Sequence, residues 1–267
     1  MLNNSNKPLA VVTGASSGIG LELAKQFAQH GFDVLMAAET PLITAAAASV
    51  RQAGVQVETV QADLAEYDGV ETLYREIQSS GRPVDAIAIN AGVGAGGDFA
   101  RETDLKDDLN VIDLNVRSTV HLAKRVLKDM VSRGQGRILF TSSIASTMPG
   151  TYNAVYNASK AFIQSFSQAI RNELKDTGIT VTALMPGPTA TEFFHRAGMD
   201  DTKVGSGEKD DPADVAREGY DALMAGKDHV VAGSFKNKLQ ASIAHVLPDP
   251  VLAEMHRGEA QHGRAKK

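Results

Sequence analysis

The chain has 267 residues, 43% of them hydrophobic and 22% charged, an ordinary balance for a globular protein. Its net charge is −5, and the lack of a Lys/Arg-rich block argues against nucleic acid as the main partner. The absence of cysteine excludes disulfides, thiolate metal sites and cysteine nucleophiles, and it suits a reducing cytoplasm. Since no apolar run approaches the roughly 20 residues that span a bilayer, we expect no membrane partner.

Short apolar runs alternate with longer amphipathic stretches, and this pattern predicts βαβ units. Polar residues 1–6 lack the apolar stretch of a secretion signal and are expected to form a disordered tail. The predicted strands are Leu9–Val12, Asp33–Ala37, Val55–Val60, Ala86–Asn90, Arg137–Thr141, Thr180–Met185 and His229–Ala232. The predicted helices are Ile19–His30, Pro41–Ala53, Tyr67–Ser79, Leu105–Arg133, Ala154–Asp176 and Pro212–Ala225. We therefore expect one α/β domain over residues 1–267, with helices on both faces of a parallel sheet.

The helix predicted at Leu105–Arg133 is unusually long and carries two apolar stripes. One stripe contains Leu109, Ile112, Val116, Val120, Ala123, Leu127 and Met130. The other contains Val111, Leu114, Leu122 and Val126. One stripe is enough to cover the sheet, and so the other indicates either a contact with a second subunit or a fully internal core.

Residues 189–211 differ in composition from the rest of the chain. They carry glycines, many charges and the pair Phe193-Phe194, and they follow a strand end, where open α/β sheets bind ligands. We interpret them as a mobile substrate lid. The alternative is an ordinary solvated loop whose two phenylalanines belong to the core.

The junction of the first strand and first helix reads Thr13-Gly-Ala-Ser-Ser-Gly-Ile-Gly20. Its glycines allow positive φ and a close approach of the backbone to a pyrophosphate, to which the helix N-terminus offers free N–H groups. The spacing is not the Gly-x-Gly-x-x-Gly of the commonest dinucleotide fingerprint, but the strand-turn-helix context favours a dinucleotide.

Glu39 follows this turn by about 20 residues, where an acidic residue is expected to bond the adenosine ribose hydroxyls. Its charge would repel a 2′-phosphate, and no Lys or Arg lies between Lys25 and Arg51 to hold one. We therefore favour NAD(H), without excluding NADP(H). The alternative is a surface glutamate that precedes a helix.

Tyr156 and Lys160 lie four residues apart in one predicted helix and so share a face. A tyrosine has a pKa of about 10, and a nearby ammonium group lowers that value towards the range useful for acid–base work. Ser143, at the end of the fifth predicted strand, is placed to hold a carbonyl oxygen by its hydroxyl. The three side chains together predict proton transfer to or from a carbonyl oxygen.

From Lys7 to about Gly233 the chain closely resembles the short-chain dehydrogenase/reductase family. The motifs that carry the resemblance are the glycine turn, Asp63-Leu64, Asn90-Ala-Gly92, Asn115, Ser143, Tyr156-Asn-Ala-Ser-Lys160 and Pro186-Gly-Pro-Thr-Ala-Thr191. The resemblance implies one Rossmann-type, doubly wound α/β domain with a seven-stranded parallel sheet. It also implies a homodimer or homotetramer that pairs the long helices.

The resemblance implies roles for individual residues as well. Tyr156 is the general acid–base, Lys160 lowers its pKa and bonds the nicotinamide ribose, and Ser143 orients the substrate oxygen. Asn115 anchors a water that links Lys160 to solvent. The implied cofactor contacts, besides Tyr156 and Lys160, are Gly14, Ser16, Ser17, Gly18, Ile19, Gly20, Glu39, Asp63, Leu64, Asn90, Ala91, Gly92, Pro186, Gly187, Thr189 and Thr191. Taken singly, several of these also fit plain structural roles, such as a helix cap or a turn.

Two features depart from the family pattern. Members that use NAD usually have an aspartate at the position of Ala38, and members that use NADP often have an arginine at that of Glu39; this chain has neither. The pattern fades after Gly233, and we expect the variable extension 234–267 either to cover the active site or to pack on another subunit.

We therefore predict an NAD(P)-dependent oxidoreductase that interconverts a secondary alcohol and a ketone without a metal ion. The candidate pocket residues are Ala145, Met148, Pro149, Thr151, Phe193 and Phe194, which suit a medium-sized, mostly uncharged substrate. A non-catalytic nucleotide-sensing regulator or scaffold is one alternative, and the intact catalytic set argues against it. A nucleotide-sugar epimerase or dehydratase is another, but its usual Gly-x-x-Gly-x-x-Gly turn and larger C-terminal lobe are lacking.

Overall fold

Seven parallel strands form one sheet in the computed structural model, which describes residues 5–244 and 246–265. The strands are β1 (Leu9–Thr13), β2 (Asp33–Ala38), β3 (Val57–Gln61), β4 (Ala86–Ile89), β5 (Gly136–Thr141), β6 (Ile179–Pro186) and β7 (His229–Ala232). Their order is β3-β2-β1-β4-β5-β6-β7, which confirms the predicted sheet. β3 begins at Val57 rather than Val55, and β4 ends at Ile89 rather than Asn90. Residues 1–4 of the predicted tail lie outside the described residues.

Eleven α-helices surround the sheet in the described part of the chain. They are α1 (Gly18–Gln29), α2 (Ile43–Arg51), α3 (Tyr67–Ser79), α4 (Leu105–Val111), α5 (Ser118–Arg133), α6 (Ala154–Glu173), α7 (Phe193–Arg196), α8 (Lys203–Ser206), α9 (Pro212–Met224), α10 (Phe235–Ala244) and α11 (Asp249–Ala260). A π-helical turn, Ile112–Arg117, joins α4 to α5, so that the long predicted helix is continuous. Helices α2 and α6 are shorter than predicted, and α7, α8, α10 and α11 were not predicted.

Local chemistry fixes the ends of two helices. At the start of α9 the Asp211 carboxylate accepts a hydrogen bond from the Ala213 N–H, and Pro212 occupies the first turn, where its missing N–H costs nothing. Helix α5 ends at Gly134, whose φ of 73° is the left-handed conformation that glycine adopts without a steric penalty. The chain then enters β5 at Gly136, so this turn sets where the strand begins.

Apolar cores lie on both faces of the sheet. On one face, α1, α2 and α9 pack against the strands through fully buried residues such as Leu23 and Phe27. On the other face, α3, α5 and α6 do so through residues such as Leu73 and Met130. Because both faces are covered, the strands are near-continuous apolar runs rather than alternating ones. The sheet is therefore a rigid support whose carboxyl edge carries the polar residues described below.

The two stripes of the long helix have different surroundings. Val111, Leu122 and Val126 of the second stripe are buried against the sheet. The first stripe divides: its C-terminal residues Ala123 and Met130 are also buried, whereas Leu109, Ile112 and Val120 are exposed. The interpretation of both stripes as internal core is therefore wrong for the N-terminal part of the first stripe. That part forms an apolar face on the surface of the chain.

Candidate active site

The glycine turn lies between β1 and α1. Gly14 and Gly18 have φ values of 66° and 55°, a left-handed conformation that side chains rarely adopt. A Cβ atom on Gly20 would lie 2.2 Å from the Gly14 carbonyl oxygen, so only glycine allows this tight packing. Ser17 makes no side-chain cap, which leaves the first N–H groups of α1 available to an anion. These features fit the pyrophosphate of a dinucleotide.

Hydrogen bonds of Asn90 join the carboxyl ends of three neighbouring strands. Its Nδ2 donates to the Thr13 carbonyl oxygen of β1 at 3.1 Å, and its Oδ1 accepts from the Thr141 hydroxyl of β5 at 3.0 Å. The Thr13 hydroxyl in turn accepts from the N–H groups of Asn90 and Ala91, at 2.9 and 3.0 Å. The floor of the cleft is therefore fixed by these bonds at the junction of β1, β4 and β5.

Glu39 lies at one end of the cleft, directly after β2, where its side chain is exposed. Asp63 and Leu64 line the same end. Asp63 Oδ1 also accepts from the Ala65 N–H at 2.9 Å, so this residue stabilises its own turn as well. Among the described lining residues, those at the ends of β2 and β3 include no lysine or arginine.

Tyr156 and Lys160 lie one turn apart on α6, and both line the cleft. Lys160 Nζ donates to the Thr141 carbonyl oxygen at 2.9 Å and lies 5.7 Å from the centre of the Tyr156 ring. Burial lowers the pKa of Lys160 to about 8. Burial also raises the pKa of Tyr156 to about 12, with a smaller opposing effect from the Ser143 hydroxyl. The lowered tyrosine pKa expected from the sequence is thus absent, because burial of the phenol favours its neutral form.

Ser143 follows β5 by two residues and precedes a short 3₁₀ helix, Ile144–Thr147. Its Oγ accepts from the Ala145 N–H at 3.1 Å, which fixes the position of the hydroxyl. The Oγ donates to the Pro186 carbonyl oxygen only at a long 3.4 Å. Little is lost when this weak bond is exchanged for one to a substrate oxygen.

Asn115 lies in the π-helical turn and is buried. Its Oδ1 accepts from the Val93 N–H, and its Nδ2 donates to the Val93 carbonyl oxygen and to the Ser159 hydroxyl, at distances of 2.9 to 3.0 Å. Both amide hydrogens are therefore in use, and they link the loop after β4 to α6 directly before Lys160. Such π-helical turns are frequent at functional sites. Asn115 does not line the cleft itself.

The segment 189–211 is packed against the cleft. Thr191 closely approaches the glycine turn, because a Cβ atom on Gly18 would lie 2.8 Å from its Cγ2. The Phe193 ring lies 5.0 Å from that of Tyr156, and Phe194 is buried in a small cluster with Met199. The two phenylalanines therefore differ: Phe193 faces Tyr156, and Phe194 holds the segment in place.

One cavity of about 900 Å³ extends from Glu39 past Tyr156 to α11. All the predicted catalytic, cofactor and pocket residues line it except Asn115, Pro149 and Thr151. Pro149 is exposed, and Thr151 bonds α11 instead. Sequence reasoning missed further lining residues, among them Val93, Asn153, Met199, Met255, His256 and Glu259. For those on α11 it had only the expectation that the extension 234–267 covers the site or packs elsewhere.

The histidines and carboxylates offer no metal site in residues 5–244 and 246–265, where no group of three is close enough to hold an ion. His195 is exposed and bonds Asp200 through its Nδ1 at 2.7 Å. Over the same residues, no helix is long and apolar enough to cross a membrane.

Comparisons with known proteins agree with this geometry. The profile of the family described as short chain dehydrogenase matches residues 8–201. An uncharacterized oxidoreductase of Myxococcus xanthus is 31% identical over 250 residues, which cover 91% of this chain and 94% of that protein. An NADP-dependent 3-hydroxy acid dehydrogenase of Salmonella typhi is 31% identical over 199 residues, 74% of this chain and 79% of the relative.

A solved structure is similar over most of the fold. The short-chain dehydrogenase from Sphingobium yanoikuyae in complex with NADPH is 30% identical and has a TM-score of 0.78, with 84% of this chain and 87% of that chain covered. The chain therefore belongs to the short-chain dehydrogenase/reductase family and is an NAD(P)-dependent oxidoreductase.

Proposed function

We propose that this enzyme interconverts a secondary alcohol and a ketone, with Tyr156 as the general acid–base. The observation that carries the proposal is the placement of Tyr156, Lys160 and Ser143 around one cavity that also contains the glycine turn. A nicotinamide bound there would supply or accept hydride. The residues of this chain bind the substrate oxygen and move the proton.

Protonation states at neutral pH favour the reductive direction. With a pKa of about 12, Tyr156 is a phenol and has a proton to donate to a carbonyl oxygen. With a pKa of about 8, Lys160 is mostly an ammonium group and stabilises the phenolate that this donation leaves. The Ser143 hydroxyl holds the substrate oxygen while charge develops on it.

Glu39 is the basis for proposing NAD(H) as the preferred cofactor. Its carboxylate stands exposed at the end of β2, where it can accept both ribose hydroxyls. The names of two of the similar proteins contain NADP or NADPH, which favours NADP(H) instead. The choice of cofactor therefore depends on the local charge around Glu39, and the third prediction below tests it.

The segment 189–211 is proposed as the substrate lid of a single domain. Phe193 touches the Tyr156 ring, and Ala145 and Met148 line the opposite wall. These residues are apolar and favour a medium-sized, mostly uncharged substrate. We also propose that the exposed face of α4 and α5 pairs with a second copy of the chain, and that the enzyme acts in the cytoplasm.

The first prediction concerns Tyr156. Replacing it with phenylalanine removes the proton donor but keeps the ring, so we expect the rate of ketone reduction to fall about 10²–10⁴-fold, with cofactor binding nearly unchanged. Consumption of reduced cofactor with a panel of ketones measures the rate. Tyr67→Phe, a change at an exposed tyrosine, is the matched control. Full activity in the Tyr156 variant would exclude the mechanism; an intact biological effect without activity would favour the regulator or scaffold.

The second prediction concerns pH. As pH rises through about 8, Lys160 loses its proton and no longer stabilises the phenolate. We expect kcat/KM for reduction to be constant near neutral pH and to decrease above a pH of about 8. In Lys160→Arg the positive charge persists at alkaline pH. We therefore expect this variant to be slower but to show no alkaline decrease in kcat/KM. The same alkaline fall in both proteins would show that another group causes it.

The third prediction concerns the cofactor. Fluorescence titration should show NADH bound about tenfold more tightly than NADPH, since a charged carboxylate accepts the ribose hydroxyls. This preference for NADH should shrink in Glu39→Ala. In Glu39→Gln, which keeps an acceptor without the charge, the preference should lie between those of the unaltered enzyme and of Glu39→Ala. Tighter binding of NADPH by the unaltered enzyme would contradict the assignment.

The fourth prediction concerns assembly. Leu109 is 49% exposed and Phe162 of the adjacent α6 is 39% exposed, so a partner would cover an apolar face that water now meets. Light scattering should give the mass of a dimer or tetramer, and Leu109→Arg should lower it. The control is Leu42→Arg, at the N-cap of α2, where the leucine is 64% exposed. This change should leave the measured mass unaltered. A monomeric unaltered enzyme would refute the proposal.

A further inference from the structure

Helix α11 closes the substrate end of the cavity, although it lies beyond residues 8–201, which match the family profile. Its residues Met255, His256, Gly258 and Glu259 line the same cavity as Tyr156. An element outside the matched region that borders the reacting groups is suited to recognise the substrate rather than to perform the chemistry.

Polar bonds fix α11 to the turn that precedes α6. The Thr151 hydroxyl donates to the Ala253 carbonyl oxygen at 2.9 Å, and Arg257 Nη1 bonds the Tyr152 hydroxyl at 2.9 Å. The guanidinium of Arg257 also lies 5.2 Å from the centre of the Tyr152 ring. These contacts set the position of α11 relative to the first turn of α6.

The turn itself is strained. Tyr152 has a φ of 65° and is the one non-glycine residue with a positive φ in the described parts of the chain. Such a conformation persists only where surrounding contacts hold it. Here the Gly97 N–H donates to the Tyr152 carbonyl oxygen at 2.9 Å, while Arg257 holds the side chain. The substrate end of the cavity is therefore a fixed wall.

His256 presents one unused ring nitrogen in this wall. Its Nδ1 lies 2.8 Å from the Thr151 carbonyl oxygen. Since a carbonyl oxygen only accepts, Nδ1 must carry the hydrogen. Burial lowers the pKa of His256, which keeps the ring neutral at pH 7 and leaves Nε2 as an acceptor. Among residues 5–244 and 246–265, no donor bonds Nε2.

We propose that His256 binds the substrate, its Nε2 accepting a hydrogen bond from a hydroxyl group that the substrate carries away from the reacting carbonyl. Met148, Phe193 and Met255 also line the cavity, and so does Glu259, whose carboxylate is paired with Lys203 at 2.6 Å. An uncharged donor therefore fits, whereas a carboxylate would turn its lone pairs towards that of Nε2. The substrate class is a hydroxyketone, or in the oxidative direction a diol. This inference rests on the proposed ketone reduction.

The probes are methyl ketones from butanone to heptanone. At each chain length three compounds are compared: the unsubstituted ketone, the ketone with a terminal hydroxyl and the ketone with a terminal carboxylate. For at least one chain length we expect the hydroxyketone to have a kcat/KM about tenfold above that of the plain ketone, mainly through KM. The ratio of the two values is the readout, because it cancels general damage to the site.

Two variants separate binding from structure. In His256→Asn the amide reaches the place of Nδ1 and keeps the bond to Thr151, so the preference for the hydroxyl should disappear while the melting temperature stays close to that of the unaltered enzyme. In His256→Gln the amide reaches the place of Nε2, so most of the preference should remain while the melting temperature falls.

Several results would overturn the inference. One is the absence of a hydroxyl preference at every chain length in the unaltered enzyme, and another is a preference for the carboxylate. A third is the reverse order of the variants, with the preference kept in His256→Asn and lost in His256→Gln, which would assign His256 a purely structural role. If no ketone is reduced at all, the proposed function fails, and this inference fails with it.

Discussion

The hydrogen bonds between Thr13, Asn90 and Thr141 are the constraint on which the site depends. They join the ends of β1, β4 and β5, and the carbonyl oxygen of Thr141 then accepts the bond from Lys160 Nζ. The glycine turn at the end of β1 and the residues Tyr156 and Lys160 on α6 are thereby held in one frame, although they are far apart in sequence. Buried polar networks of this kind rigidify a site when every member is bonded. A displacement of β4 would therefore move both the glycine turn and the residues Tyr156 and Lys160.

Burial determines the chemistry of the pair on α6. It lowers the pKa of Lys160 and raises that of Tyr156, so each group is driven towards its neutral form. An ammonium group only 5.7 Å from the phenol ring does not reverse the effect for the tyrosine. The consequence is a phenol beside a cation at neutral pH, a combination suited to the proton donation proposed above. The sequence motif indicates which residues meet, whereas the direction of their pKa shifts depends on burial that only the fold reveals.

The sequence predicted the elements that have a clear hydrophobic pattern and missed those that depend on contacts between distant segments. Strands buried on both faces are short apolar runs, so β1 and β2 could be placed to within one residue. The π-helical turn that buries Asn115 could not be predicted, because the amphipathic pattern runs through it without a break. Helices α10 and α11 were missed since their apolar residues, such as Phe235 and Met255, are partly exposed and give no clear stripe. Thr151 was assigned to the pocket, but the docking of α11 takes its hydroxyl.

The substrate end is built by contacts between segments that are distant in sequence. Lys203 of α8 pairs with Glu259 of α11 at 2.6 Å, and Asp201 accepts from the His262 ring at 2.7 Å. Exposed pairs of this kind contribute little to stability. The main attachment of the segment 189–211 to α11 is therefore the apolar cluster in which Ala260 meets Phe194. A small cluster tolerates changes of side chain, so this end can vary to suit a substrate while the frame around Asn90 stays fixed.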